Sequence, residues 1–143
     1  MGQSNEEGEK WIRASAEKGN PAGQYIFGLM WEGGFGLPNN PALAAKWYEQ
    51  AALGGNLDAM AKYGQCLEFG SGTKENQTAA IVWYQKAAAG KNPEAIFRLG
   101  SAYANGRGVP KDFSRALKLW QESAKMGHKE SIQKLASFGR EVP

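Results

Sequence analysis

The chain repeats itself every 36 residues without an insertion or deletion, and this period constrains its fold more than any other feature. Trp11, Trp47 and Trp83 fall in one column with Leu119, and the next column holds Ile12, Tyr48, Tyr84 and Trp120. Small residues keep step: Ser15, Ala51, Ala87 and Ser123, then Ala16, Ala52, Ala88 and Ala124. A second block aligns Phe27, Tyr63, Leu99 and Leu135, followed by Gly28, Gly64, Gly100 and Ala136. A third supplies glycine pairs at 34/36, 70/72 and 106/108. A period of this length marks a stacked array, in which each unit exposes an apolar face that only its neighbour covers.

Each unit reads as two helices. In the first, Ile96, Leu99, Gly100 and Tyr103 stand at i, i+3, i+4 and i+7; in the second, Ala44, Trp47, Tyr48, Ala51 and Ala52 do the same. The side-by-side aromatics therefore lie within a core stripe, with small residues letting helix backbones approach. Asn20, Asn56, Asn92 and His128 share the column before the first helix, and an Asn oxygen there can cap an unpaired N–H. Asn40, Asn76 and Asp112 hold the same place before the second, and Pro21, Pro41 and Pro93 suit a first helical turn. Glycines 54, 55, 90 and 127 close the second helices. The spacing predicts helices near 8–18, 22–33, 41–54, 58–69, 77–90, 94–105, 113–126 and 129–139. Residues 8–139 are expected to form one repeat domain, three full repeats with a half repeat at each end, between tails at 1–7 and 140–143.

Composition narrows the function classes. The 143 residues are 42% hydrophobic and 22% charged, as in a folding chain, and no apolar run approaches a membrane span. The acidic, polar start, MGQSNEEGEK, is unlike a secretory signal, so the chain as written reads as cytoplasmic, or periplasmic or secreted if a signal precedes it. The single cysteine, Cys66, forbids an internal disulfide and reads as a structural thiol. Residues 1–71 carry 5 basic and 8 acidic side chains, and residues 72–143 carry 12 and 6. The basic half leaves RNA binding as an alternative.

Catalytic motifs are thin. The G-x-G loops could cradle phosphate, but no strand precedes them and they recur as a structural turn would. Ser-x-x-Lys tetrads such as Ser15–Lys18 and Ser71–Lys74 match the nucleophile motif of penicillin-recognising enzymes, though about 0.7 such matches arise by chance and no SDN or KTG accompanies them. A small hydrolase acting on β-lactams or cell-wall fragments stays an alternative. His128 is the only histidine, so a His-based metal site or a Ser–His relay lacks members, and it reads as a helix cap. Neither catalytic residues nor a metal or other cofactor is expected.

The phrases FRLGSAYANGRGVPKDFSRALKLWQESAKMGHKES and MAKYGQCLEFGSGTKENQTAAIVWYQKAAAGKNPEA resemble Sel-one-like repeats, relatives of the tetratricopeptide repeat. The likeness covers about residues 8–139; Leu67 departs from a usual tyrosine and Thr73 from a usual valine. It implies an all-α, right-handed α/α superhelix that serves as a protein-interaction scaffold or adaptor, such as a bacterial regulator or an effector-neutralising immunity protein. By the same resemblance, first helices line a concave groove. Tyr25, Leu29, Phe69 and Phe97 are then candidate partner contacts, with Asp58, Gln65, Glu68, Glu94 and Asn105 as a polar rim. The expected partner is a protein or peptide. A monomer is expected, or a homodimer through the C-terminal stripe Ile132, Leu135 and Phe138.

Overall fold

The structure, a computed structural model, describes residues 2–34 and 36–139. Among them the chain is helical throughout: α1 Gly2–Glu17, α2 Pro21–Leu29, α3 Pro41–Leu53, α4 Leu57–Phe69, α5 Gln77–Ala89, α6 Pro93–Asn105, α7 Phe113–Lys125 and α8 Lys129–Ser137. The period had called for this alternation of first-type helices (α2, α4, α6, α8) and second-type helices (α1, α3, α5, α7). The chain divides into two compact units, Met1–Asn76 and Gln77–Pro143.

The caps form as their chemistry requires. The side chains of Asn20, Asn56 and Asn92 accept hydrogen bonds from the N–H groups of Gly23, Ala59 and Ala95 at 3.0, 2.8 and 2.9 Å. Asn40 and Asp112 do the same for Leu43 and Arg115. Each bond satisfies one of the N–H groups that a helix start leaves without an internal partner.

In unit 1, α3 packs on α2 and α4, and α2 on α1. Ala16, Phe27 and Met30 are buried together, with Ile12, Trp31, Leu37 and Trp47 against them. Phe27 lies 5.2 Å from Trp47 and 5.8 Å from Trp31, ring to ring. In unit 2, α6 packs on α5 and α7, and α7 on α8. Its core joins Phe97, Ala116, Trp120, Ala124 and Leu135. Of the C-terminal stripe, Leu135 is fully buried, Ile132 half-buried, and Phe138 stacks on Trp120 with 49% of its surface exposed.

The glycine columns serve close approach. A Cβ on Gly28 would sit 2.6 Å from the Tyr48 ring, and one on Gly100 would sit 2.8 Å from the Trp120 ring. The second glycine of the loop after α4 has a similar task. Gly72, at φ 75°, leaves space for the backbone of Pro41, and what recurs with Gly36 and Gly108 is the positive φ itself.

Three details differ from the sequence expectation. Residues 2–7 continue α1 in place of a tail; residues 140–143 lie outside the described residues. The first-type helix of the first repeat ends at Leu29 and widens into a π-helical turn, Met30–Gly34, because Gly33 at φ 110° breaks the path one residue earlier than Gly70 and Gly106 do. Finally, the left-handed residue after α5 is Lys91 at φ 68°, not Gly90. It stands where Gly19, Gly55 and Gly127 take positive φ in the other repeats, so the repeat geometry overrides the side chain's preference.

Candidate functional site

Unit 1 contains a cavity of about 320 Å³ beside α3 and α4. Its wall includes Pro41, Ala44 and Tyr48 from α3, and Lys62, Gln65 and Phe69 from α4. Glu32 reaches in from the π-helical turn, and Cys66 borders it. The Tyr48 hydroxyl donates to Glu32 Oε1, and Lys62 Nζ lies 3.4 and 3.3 Å from its two carboxylate oxygens. Lys62 Nζ also lies 6.0 Å from the centroid of the Tyr48 ring. Burial and the bond to Glu32 push the Tyr48 hydroxyl far above its ordinary range, so it remains a donor. Burial, with Glu32 adding to it, pushes the Cys66 thiol up to about 11. A thiol so seldom ionised is a poor nucleophile, in keeping with a structural role.

The residues expected to form the groove are placed unevenly. Gln65 and Phe69 line the cavity, Phe69 with 53% of its surface exposed. Tyr25 is half-buried with its ring 6.0 Å from Tyr48, and its hydroxyl is pushed up by burial, then by Asp58 and Glu32. Leu29 is half-buried and Asp58 exposed. Glu68 is only 8% exposed, so it is no rim residue.

In unit 2, Asn105 is exposed. Phe97 corrects the expectation: at 6% exposure it belongs to the core, where α8 covers it and its carbonyl accepts a bond from Trp120 Nε1 at 3.3 Å. Glu94 is occupied internally. It accepts from Arg98 Nε and from His128 Nε2, both at 2.8 Å.

Glu94, His128 and Glu130 bring possible metal-ligating atoms within 4.8 Å of one another. The imidazole argues against that use. Nδ1 of His128 accepts the Ser131 backbone N–H at 3.2 Å, capping α8 as its column predicts, so a neutral ring carries its proton on Nε2. That proton goes to Glu94. Ligation through Nε2 would require the cap to break or both nitrogens to lose their protons.

Burial would raise the Glu94 carboxyl, but the hydrogen bonds from His128 and Arg98 outweigh it and hold the group below its ordinary 4.5. A carboxyl whose folded pKa is depressed lends stability that is complete above the unfolded value and is lost as pH falls through the folded one. Melting temperatures measured from about pH 5 to pH 3 should therefore fall more steeply for the native chain than for Glu94→Gln. Equal slopes would refute this role for Glu94.

Among the described residues, no hydrogen bond or ion pair joins Ser15 to Lys18 or Ser71 to Lys74. Ser15 packs beneath Gly23, where a Cβ would meet its Oγ at 2.3 Å. No helix among the described residues is long and apolar enough to cross a membrane.

The residues around the cavity that the sequence reading missed are Glu32, Tyr48 and Lys62. One signal was available: where the second-type helix carries Tyr48, the slot 16 residues earlier is Glu32, and where it carries Trp120 that slot is Ala104.

Comparison with known proteins places these features. The Sel1 repeat family model matches residues 21–56, 57–92 and 93–128. Among solved structures, c5321, a protective antigen present in uropathogenic Escherichia coli strains and displaying an SLR fold, is 30% identical with a TM-score of 0.82. The match covers 93% of this chain and 29% of that one, so this chain spans less than a third of its length. A Sel1 repeat protein from Oxalobacter formigenes is 29% identical with a TM-score of 0.75, over 88% of this chain and 95% of that one. Helicobacter pylori cysteine rich protein B, 16% identical over 90% and 92% of the two chains, shares the fold with a TM-score of 0.67. No significant match is found among curated proteins.

Proposed function

The chain belongs to the Sel1 repeat family, whose members are generally non-catalytic protein-interaction scaffolds, and from that premise we propose that it holds a protein or peptide partner against α2 and α4 of unit 1. The observation that carries this reading is Phe69. An aromatic ring with 53% of its surface exposed stands at the edge of a cavity of about 320 Å³, beside Gln65, where a partner can cover it. Tyr25 and Leu29 from α2 and Asp58 from α4 extend the surface, half apolar and half polar as interfaces are. An adaptor, a regulator or a protein that neutralises a toxic effector would each use such a surface.

The test begins with affinity capture from the native host and identification of the retained protein by mass spectrometry. The affinity of that purified partner is then measured by calorimetry. Phe69→Ala should weaken it at least about tenfold, as loss of a central aromatic contact does, while the melting temperature stays near that of the native chain. Tyr25→Ala should act in the same direction. Binding unaltered by both substitutions would overturn the assignment of the surface.

A further inference from the structure

The column that caps the first-type helices holds Asn20, Asn56 and Asn92, and before α8 it holds His128, the chain's one histidine. An asparagine caps its helix alike at every pH, because its amide does not titrate. Imidazole does titrate in the physiological range, and its two nitrogens are engaged separately here. Nε2 lies 2.8 Å from Glu94 Oε1, while Nδ1 accepts the Ser131 N–H at 3.2 Å with Ser131 Oγ 3.0 Å away. The ring itself lies against the unit 2 core, its centroid 5.0 Å from that of Phe97.

A second proton on this ring has one place to go. Nε2 already holds the proton it donates to Glu94, so protonation turns Nδ1, the capping atom, from acceptor into donor. Ser131 Oγ is placed to accept the new N–H, but the Ser131 backbone N–H loses its acceptor. Ser131 is fully buried, so water does not replace the lost partner, and a helix start offers no internal one. The charges around the ring act on Nε2 and leave this loss in place. From α6, Glu94 faces the ring with Arg98 bonded to it; from α8, a Glu130 carboxylate oxygen lies within 4.8 Å, with Lys129 beside it in the first turn. From α7 come Lys125 in its last turn and Glu122, which pairs with Lys91 at 3.4 Å. Glu94, held below its ordinary 4.5, stays a carboxylate at pH 5.5 and favours the charged ring.

We propose that α8 is an acid-released cover of the unit 2 core: protonation of His128 exchanges the cap of α8 for an ion pair with Glu94, and the first turn of α8 opens beside Phe97. At neutral pH the same imidazole caps the helix and packs on Phe97, so the core is closed. In mild acid the turn that carries Ser131 and Ile132 loosens while Leu135, one turn on and fully buried, still anchors the rest of the helix. The helices capped by Asn20, Asn56 and Asn92 keep their caps over the same range. The response is therefore local to the one repeat position where histidine stands for asparagine.

Amide hydrogen exchange of the full ¹⁵N-labelled chain would be followed by NMR at about pH 7.5 and pH 5.5, with the rates corrected for the intrinsic pH dependence of exchange. Ala95 is the internal reference, since its N–H holds the place of Ser131 one repeat earlier and is capped by Asn92 at 2.9 Å. Between the two pH values the protection of Ser131, and of Ile132 whose N–H bonds the His128 carbonyl at 3.1 Å, should fall about tenfold relative to Ala95, the order of one lost cap. Imidazole nitrogen shifts at pH 7.5 should place the proton on Nε2 and none on Nδ1. His128→Asn, which restores the residue of the column, should keep α8 capped and abolish the difference. Equal protection changes at Ser131 and Ala95, a proton on Nδ1 at pH 7.5, or the same fall at Ser131 in His128→Asn would overturn the proposal. The first two readings use the native chain alone and decide the matter should that variant not fold.

Discussion

Trp120→Ala should lower the unfolding free energy by about 4 kcal/mol, the range for emptying a large aromatic from a core. The indole is 2% exposed, and a Cβ on Gly100 would come within 2.8 Å of it, so no room is left for another side chain to collapse inward. Phe113 and Phe138 lose their stacking partner, and the Phe97 carbonyl loses the donor 3.3 Å away. Urea denaturation followed by circular dichroism reads the loss directly. The chain is a repeat with two compact units, so the weakened transition should separate from the rest rather than shift the whole curve. Trp11→Ala is the control. With 77% of its surface exposed, Trp11 should cost no more than about 0.5 kcal/mol, although its column partner in the next repeat, Trp47, packs on Phe27. A loss below about 1 kcal/mol for Trp120→Ala would refute this view of the unit 2 core.

Gly72→Ala should cost about 3 kcal/mol, from two sources. Its φ of 75° is left-handed, a penalty of about 1–2 kcal/mol for a residue with a Cβ. The added carbon would also fall 2.0 Å from the Pro41 carbonyl oxygen, 2.4 Å from its carbon and 3.0 Å from the Ala42 nitrogen. These atoms are backbone, at the start of α3, and cannot turn aside as a side chain could. Gly36 separates the two terms. It has φ 88° but nothing within 4 Å of a Cβ, so Gly36→Ala should show the conformational cost alone, about 1–2 kcal/mol. The comparison is made on urea midpoints at constant slope. Equal losses at the two positions would mean that α3 moves away from the loop and that the second glycine of the motif serves conformation only.

Much of the architecture was legible from the columns because a repeat states each structural requirement several times. The caps at Asn20, Asn56 and Asn92 and the core position of Tyr48 followed from spacing and from side-chain chemistry alone. His128 illustrates the limit. Its column predicted the cap, but only the fold brings Nε2 to Glu94, 34 residues away. Phe97 shows the same limit from the other side. As an apolar residue in a slot held elsewhere by Tyr25 and Ala61 it resembled a surface contact, yet α8 lies over it and makes it core.

By itself, then, the sequence determined the helical repeat, the turn glycines and the cap residues, because those depend on interactions within a few residues and on a period that needs no coordinates to see. Tertiary structure decided which apolar side chains stay exposed, Phe69 but not Phe97, and which polar ones are already engaged, Glu94 and Glu32. It also decided that Glu32, Pro41, Tyr48 and Cys66 border a cavity in unit 1 while Phe113, Trp120 and Phe138 pack on one another in unit 2. The physical reason is that exposure and cavity volume are set by side chains contributed from separate helices, Glu32, Pro41, Tyr48 and Cys66 in one case and Ala104, Phe113, Trp120 and Phe138 in the other, and no single column contains their sum.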